Sequence, residues 1–170
     1  MVAPQAVFKN DLADRFDPQL ADLRVHLPSL AEVGVDLVTG APPFMPMGSG
    51  ILPQDPQRAA GRFETRGGVE DYYRAAARYL TPAGVAVVLM DGHGGERNVE
   101  AARAAGLSPR QRIEVLPRPG RPATYSICVA SRQPGPFEQH HLCLREAVGN
   151  EWSTAYTAVR KRLDLPEKAS

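Results

Sequence analysis

Ten residues, Val35-Asp36-Leu37-Val38-Thr39-Gly40-Ala41-Pro42-Pro43-Phe44, limit what this chain can fold into more than any other stretch. Val35, Leu37 and Val38 form the apolar, β-branched run expected of a strand buried in a covered sheet. Gly40 and the prolines then stop it. Each proline fixes its own φ and removes a backbone donor, and Pro43 also drives Pro42 towards an extended conformation. Phe44 is therefore held on a stiff loop at the carboxyl end of a strand. In open α/β sheets that edge is where ligands bind. A stiff turn with no further role is the plainer reading of the same residues.

The remaining pattern predicts alternating helices and strands. Val7, Phe8, Leu12 and Phe16 fall near helical spacing, and Leu20 to Val25 predicts a short strand ending in an acidic turn. Pro28 to Glu32 reads as a linker. Phe44 to Arg66 is rich in glycine and proline and predicts a long loop, a length that is functional or mobile in most compact domains. Arg58, Arg62 and Arg66 recur every fourth residue, so a local helix would place them on one face, where they could meet phosphates. An exposed basic face with Glu64 as partner is the simpler alternative.

A helix follows from Val69 to about Leu80, with Val69, Tyr72 or Tyr73, Ala76, Ala77 and Leu80 on its buried side and Pro82 and Gly84 as its stop. Val85 to Met90 predicts a buried strand of a parallel sheet. A helix over Asn98 to Ala105 ends at Gly106, and strands over Arg112 to Leu116 and Thr124 to Ala130 are joined tightly enough to be antiparallel. Residues 1–133 form one unit in this reading. Residues 134–170 are an extension, with a strand near His140 to Arg145 and an amphipathic helix presenting Trp152, Tyr156, Val159 and Leu163.

Composition excludes more than it selects. The chain has 170 residues, 43% hydrophobic and 23% charged, with a net charge of +1, as in an ordinary globular domain. No run of about 18 apolar residues is present, so no membrane span is expected. Met1 to Asn10 lacks the apolar core of a signal peptide. Cys128 and Cys143 form no Cys-x-x-Cys pair, which points to a reducing cytoplasm and to cysteines that are small buried filler. His140 and His141 are adjacent, so a strand would send them to opposite faces, and no metal site is expected.

The strand followed by Ala41-Pro42-Pro43-Phe44 resembles the catalytic loop of class I S-adenosylmethionine methyltransferases that act on exocyclic amino groups, where the motif is Asn/Asp/Ser-Pro-Pro-Tyr/Phe. Gly48-Ser49-Gly50, Asp55-Pro56-Gln57-Arg58, Arg62, Glu64 and Arg66-Gly67-Gly68-Val69-Glu70-Asp71-Tyr72 are similar to the bacterial enzymes that modify a tRNA adenine next to the anticodon. The likeness continues weakly to about Leu165. It implies an α/β, Rossmann-like methyltransferase sheet ending in an antiparallel strand pair. It implies S-adenosyl-L-methionine as cofactor and tRNA or another nucleic acid as partner. Within it, the Pro42 carbonyl accepts from the target amine, and Phe44 stacks on a flipped base. Arg58, Arg62 and Arg66 contact the substrate. Asp22, with Leu23, aligns with the residue that holds the cofactor adenine; a solvated turn is the alternative for Asp22. Ala41 departs from the motif because it has no side-chain acceptor.

The resembled fold begins with a strand, a Gly-rich turn and an acidic residue about 20 positions later. Only Gly34 precedes Gly40. Gly92-His93-Gly94-Gly95 follows a later strand and does not substitute. The expectation is a carboxyl-terminal portion of such a fold, with the amino-terminal βα units that bind cofactor missing. In the resembled fold the first strand lies beside the Val35 strand. That edge is then expected to pair with a second copy or a complementing chain. Three functions compete: a nucleic-acid adenine methyltransferase, truncated or degenerate; a non-catalytic RNA-binding or partner subunit; and a protein glutamine methyltransferase. The Arg58 to Arg66 face favours RNA over the last.

Overall fold

The computed structural model describes residues 15–25 and 34–166. Strands β1 (Val35–Gly40), β2 (Leu80–Asp91), β3 (Ser108–Leu116), β4 (Tyr125–Ser131) and β5 (Glu138–Cys143) alternate with helices α1 (Pro56–Arg62), α2 (Val69–Tyr79), α3 (Gly95–Ala104) and α4 (Thr154–Arg162). The strands make one sheet in the order β1-β2-β4-β3-β5. β4 runs against both of its neighbours, while β1 is parallel to β2 and β5 is parallel to β3. The carboxyl ends of β1, β2, β3 and β5 therefore share one edge with the amino end of β4. Gly40, Asp91, Tyr125, Leu116 and Cys143 lie along it in that order.

Alternation along β2 sets the core. Ala86, Val88 and Met90 are buried, and Val85, Val87 and Leu89 on the other face are half-buried. The buried side meets Val69, Tyr73 and Ala76 of α2 and Val99 and Ala102 of α3. Tyr73 and Asn98 carry the polar atoms of this layer. The Tyr73 hydroxyl donates to Asn98 Oδ1 at 2.9 Å, and Asn98 Nδ2 donates to the Val88 carbonyl at 3.0 Å. Burial raises the Tyr73 phenol well above its ordinary value, so it remains a donor. Helix α2 starts where Gly67 adopts φ +112° and Gly68 N–H donates to Asp71 Oδ2 at 3.1 Å. A side chain at Gly67 would collide with that carboxylate, so the Arg66-Gly67-Gly68 turn needs glycine there.

The predicted order of strands and helices is the one observed, with several corrections. β1 is not buried: Leu37 is 59% exposed. Among the described residues no strand pairs with its outer edge, and Leu37 lines an apolar cavity of about 350 Å³ with Leu23, Val35, Val38, Thr39 and Tyr79. Leu20 to Val25 is not a strand. Asp22 accepts from Arg24 N–H at 3.0 Å and its carbonyl accepts from Val25 N–H at 2.9 Å, which closes a turn instead. Pro82 to Gly84 do not separate helix from strand. β2 begins at Leu80, and the residues between its pairings with Val35 and Leu37 form an irregularity inside it. Phe44 to Arg66 is not all loop, since α1 lies within it. Val159 on α4 and Leu163 just after it are 36% and 62% exposed, and no residue of that helix is buried, so the face foreseen as apolar and packed is largely open. The helix foreseen near Val7 to Phe16 and the linker at Pro28 to Glu32 lie largely outside the described residues.

β5 joins the sheet beside β3, so the segment after residue 134 extends the same layer. Cys128 is fully buried, and burial raises its thiol, whereas Cys143 is only half-buried. Among the described residues no helix is long and apolar enough to cross a membrane.

Candidate active-site edge

The loop after β1 is shaped from below. Gly40 faces α2, and a Cβ there would stand 2.6 Å from Cδ1 of Tyr72, so the ring lies directly on the glycine. Ala41 is exposed, Pro42 is buried, and Phe44 packs its half-buried ring against the core cluster. No described residue donates a hydrogen bond to the Pro42 carbonyl. Met45 ends the loop by pairing with Phe63. Its N–H donates to the Arg62 carbonyl at 3.1 Å, and its carbonyl accepts from Glu64 N–H at 3.0 Å. Two prolines and this paired exit leave the segment few conformations. On the far face of the sheet, a cavity of about 470 Å³ opens beside the loop, lined by Thr39, Gly40, Ala41, Val87, Leu89 and Ile127.

The predicted arginine face is only partly assembled. Asp55 caps α1 by accepting from Gln57 N–H at 2.9 Å, and Pro56 occupies the first turn. The helix carries Arg58 and Arg62, but it ends at Arg62, because Phe63 turns extended to pair with Met45. Arg66 therefore leaves the helical face for the tight turn at Thr65–Gly67. All three arginines are exposed, and among them only Arg58 has an ion-pair partner in the described residues, Asp55 at 3.9 Å. Arg66 lines a shallow cavity of about 400 Å³ with Leu20, Ala21, Asp22 and Leu23, so the structure brings it to the predicted cofactor pair rather than to Arg58.

Glu64 does not serve the arginine face. It binds Arg97, which the sequence reading missed. Arg97 Nη1 is 2.6 Å from Glu64 Oε1, and its Nε is 2.8 Å from Glu70 Oε1. Its Nη2 bonds the second oxygen of each carboxylate, at 3.1 Å and 2.9 Å. One guanidinium thus ties the end of the Phe44–Arg66 segment to α2 and α3. The two carboxylates hold Arg97 more firmly protonated than usual, and Arg97 holds Glu70 below the ordinary range. Nothing in the sequence marks this trio, since Arg97 lies 33 and 27 positions from its partners.

The comparisons agree with this geometry. No protein-family model matches the chain. The tRNA1(Val) (adenine(37)-N6)-methyltransferase of Tolumonas auensis is 31% identical over 124 residues, covering 73% of this chain and 51% of that protein. A predicted O-methyltransferase from Agrobacterium tumefaciens superimposes with a TM-score of 0.65 at 17% identity, over 94% of this chain and 70% of that one. This is a class I methyltransferase fold, in part. The chain spans about half the length of the curated relative it matches.

S-adenosylmethionine is the cofactor of methyltransferases of this kind, and the described residues do not build its cradle. Asp22 is engaged by Arg24 in an exposed local pair. Arg24 Nε reaches both of its oxygens at 2.9 Å and 3.2 Å, and Arg24 Nη2 is 2.5 Å from Oδ2. These bonds and the backbone turn lower its carboxyl to about 2. Asp22 lines a different cavity from the one at the Ala41 loop, whose named walls hold no acidic side chain for ribose hydroxyls.

Proposed function

We propose that this methyltransferase-fold chain presents the target-base side of an enzyme that methylates the exocyclic amine of adenine in RNA. One observation carries the reading. The Ala41-Pro42-Pro43-Phe44 loop sits at the carboxyl edge of the sheet, braced by Tyr72 beneath Gly40 and by the Met45–Phe63 pairing. The sequence likeness to a tRNA adenine methyltransferase supports the choice of base, and the exposed Arg58, Arg62 and Arg66 support RNA.

An adenine amine is a weak nucleophile, because its lone pair is delocalised into the ring. Acceptors that draw its protons turn the lone pair towards the electrophile, and holding the base fixed removes the cost of orienting it. Here the Pro42 carbonyl is the acceptor, and the Phe44 ring is the face against which the base stacks. Ala41 adds no side-chain acceptor, so backbone oxygen does this work alone. The cofactor is held chiefly by groups other than Asp22.

A second reading rests on the pairing of Asp22 with Arg24 and on the outer edge of β1, which has no partner strand among the described residues. In it the chain is a non-catalytic RNA-binding subunit, completed by a second copy or another chain added at that edge.

Two measurements separate these readings: calorimetric titration of the chain with S-adenosylmethionine, and transfer of labelled methyl to a tRNA transcript. Phe44→Leu keeps the core contact and removes the aromatic face. Stacking contributes about 1–3 kcal/mol per base, so this change is expected to lower transfer about tenfold or more with unchanged cofactor affinity. Transfer insensitive to Phe44→Leu overturns the assignment of the loop. RNA binding without cofactor binding, in a chain that light scattering shows as a dimer, selects the second reading.

A further inference from the structure

The edge that carries the Ala41–Phe44 loop at one end carries a second feature at the other. β3 and β5 also finish there, so residues 117–124, residues 144–152 and α4 all depart from it. Leu144 N–H donates to the Leu116 carbonyl at 2.8 Å, Arg145 N–H to the Pro117 carbonyl at 3.2 Å, and Ser153 N–H to the Leu144 carbonyl at 3.0 Å. This lacing makes a fixed platform. On it the Arg145 guanidinium lies 4.2 Å from the Trp152 ring centroid, and that of Arg160 lies 5.5 Å from the same centroid. Arg118 is anchored alongside by donating to the Glu146 and Gly149 carbonyls at 3.0 Å and 2.6 Å. Arg121, Lys161 and Arg162 extend the group and are exposed.

None of these six cations is within ion-pair distance of a carboxylate among the described residues. The nearby Glu146 is occupied at the start of α4, accepting from Thr154 N–H at 3.1 Å. Elsewhere the contrast is plain: Arg97 and Arg112 each sit between two carboxylates. Two guanidiniums gathered around one indole, with no carboxylate beside them, favour an anionic partner. Ring contacts, with one backbone bond each from Arg145 to the Asn150 carbonyl and from Arg160 to the Pro166 carbonyl, fix their planes and leave the remaining N–H donors for a planar, multi-oxygen partner, which is the geometry of phosphate. Because arginine occupies Trp152, the platform suits a nucleic-acid backbone rather than a stacked base.

We propose that Arg118, Arg145 and Arg160, with Arg121, Lys161 and Arg162 around them, bind the phosphodiester backbone of the RNA whose target base enters at Phe44. This rests on the reading of RNA as the substrate. β1 and β5 are separated by four strand spacings, roughly 19 Å, so one strand of RNA laid along the edge spans both features.

The test is fluorescence anisotropy of a labelled RNA hairpin with the full chain over a series of salt concentrations. The variants are Arg118→Gln/Arg145→Gln/Arg160→Gln and, leaving the stacked platform intact, Arg121→Glu/Lys161→Glu/Arg162→Glu. Each is expected to bind at least about tenfold more weakly, with the slope of log affinity against log salt reduced by about 2 for three lost contacts. Wild-type affinity and slope in the second, folded variant overturn the proposal, as does absence of RNA binding by the wild-type chain or equal displacement by poly-glutamate. RNA that is bound through this surface but not methylated refutes the proposed activity and leaves the surface standing. RNA that is methylated normally by both variants with unchanged affinity refutes the surface alone.

Discussion

Removing the Arg97 guanidinium by Arg97→Met tests whether the segment between Phe44 and Arg66 is held by its tertiary ion pairs. The variant keeps most of the stem and loses four charge-assisted bonds to Glu64 and Glu70. Fully buried pairs cost about 3–5 kcal/mol when broken, and exposed pairs contribute about 0.2–1 kcal/mol. The Arg97 and Glu70 side chains are each 38% exposed and Glu64 is 15%, so solvent screens much of the interaction. The expected loss lies between these limits, about 2 kcal/mol, or about 4–8 °C in melting temperature for a chain of this size. The sign with pH follows from Glu70, whose carboxyl Arg97 holds below its ordinary value of 4.5. That contribution is complete above the ordinary value and is lost as pH falls through the depressed one. Circular-dichroism melts of both proteins should therefore differ most near about pH 7 and converge only as the pH falls well below the ordinary Glu70 value of 4.5. A gap under about 0.5 kcal/mol near neutrality, or one that does not narrow in acid, would refute the reasoning.

Two further outcomes follow from the core. Tyr73→Phe leaves Asn98 Oδ1 without its donor in a fully buried layer and should cost about 1–2 kcal/mol in urea unfolding; no loss would mean that another group satisfies Asn98. Gly40→Ala drives a methyl into the Tyr72 ring, so the single variant should melt lower than the double variant Gly40→Ala/Tyr72→Leu, and the reverse order would show that the ring does not brace the loop.

Much of the fold was legible because periodicity reports burial directly. The α2 face with Val69, Tyr73 and Ala76, the apolar run of β2 and the β3–β4 pair were legible in this way, although β2 buries only alternate residues and runs antiparallel to β4. The Pro42-Pro43 turn was legible because proline fixes its own backbone angles. Where a local bond competed with the pattern, the reading failed: Asp22 closed a turn on Arg24 instead of ending a strand, and Phe63 left the helix to pair with Met45, taking Arg66 off the arginine face.

The residues of this chain by themselves determined the order of its elements, the apolar character of β1 and the stiffness of the loop that follows it, all of which depend on neighbours a few positions apart. Tertiary structure alone decided that β5 pairs parallel to β3, which sends the Trp152 platform to the same edge as Phe44, and that Arg97 reaches Glu64 and Glu70. Long-range pairing and charge convergence depend on where the sheet carries each segment, and no local spacing encodes that.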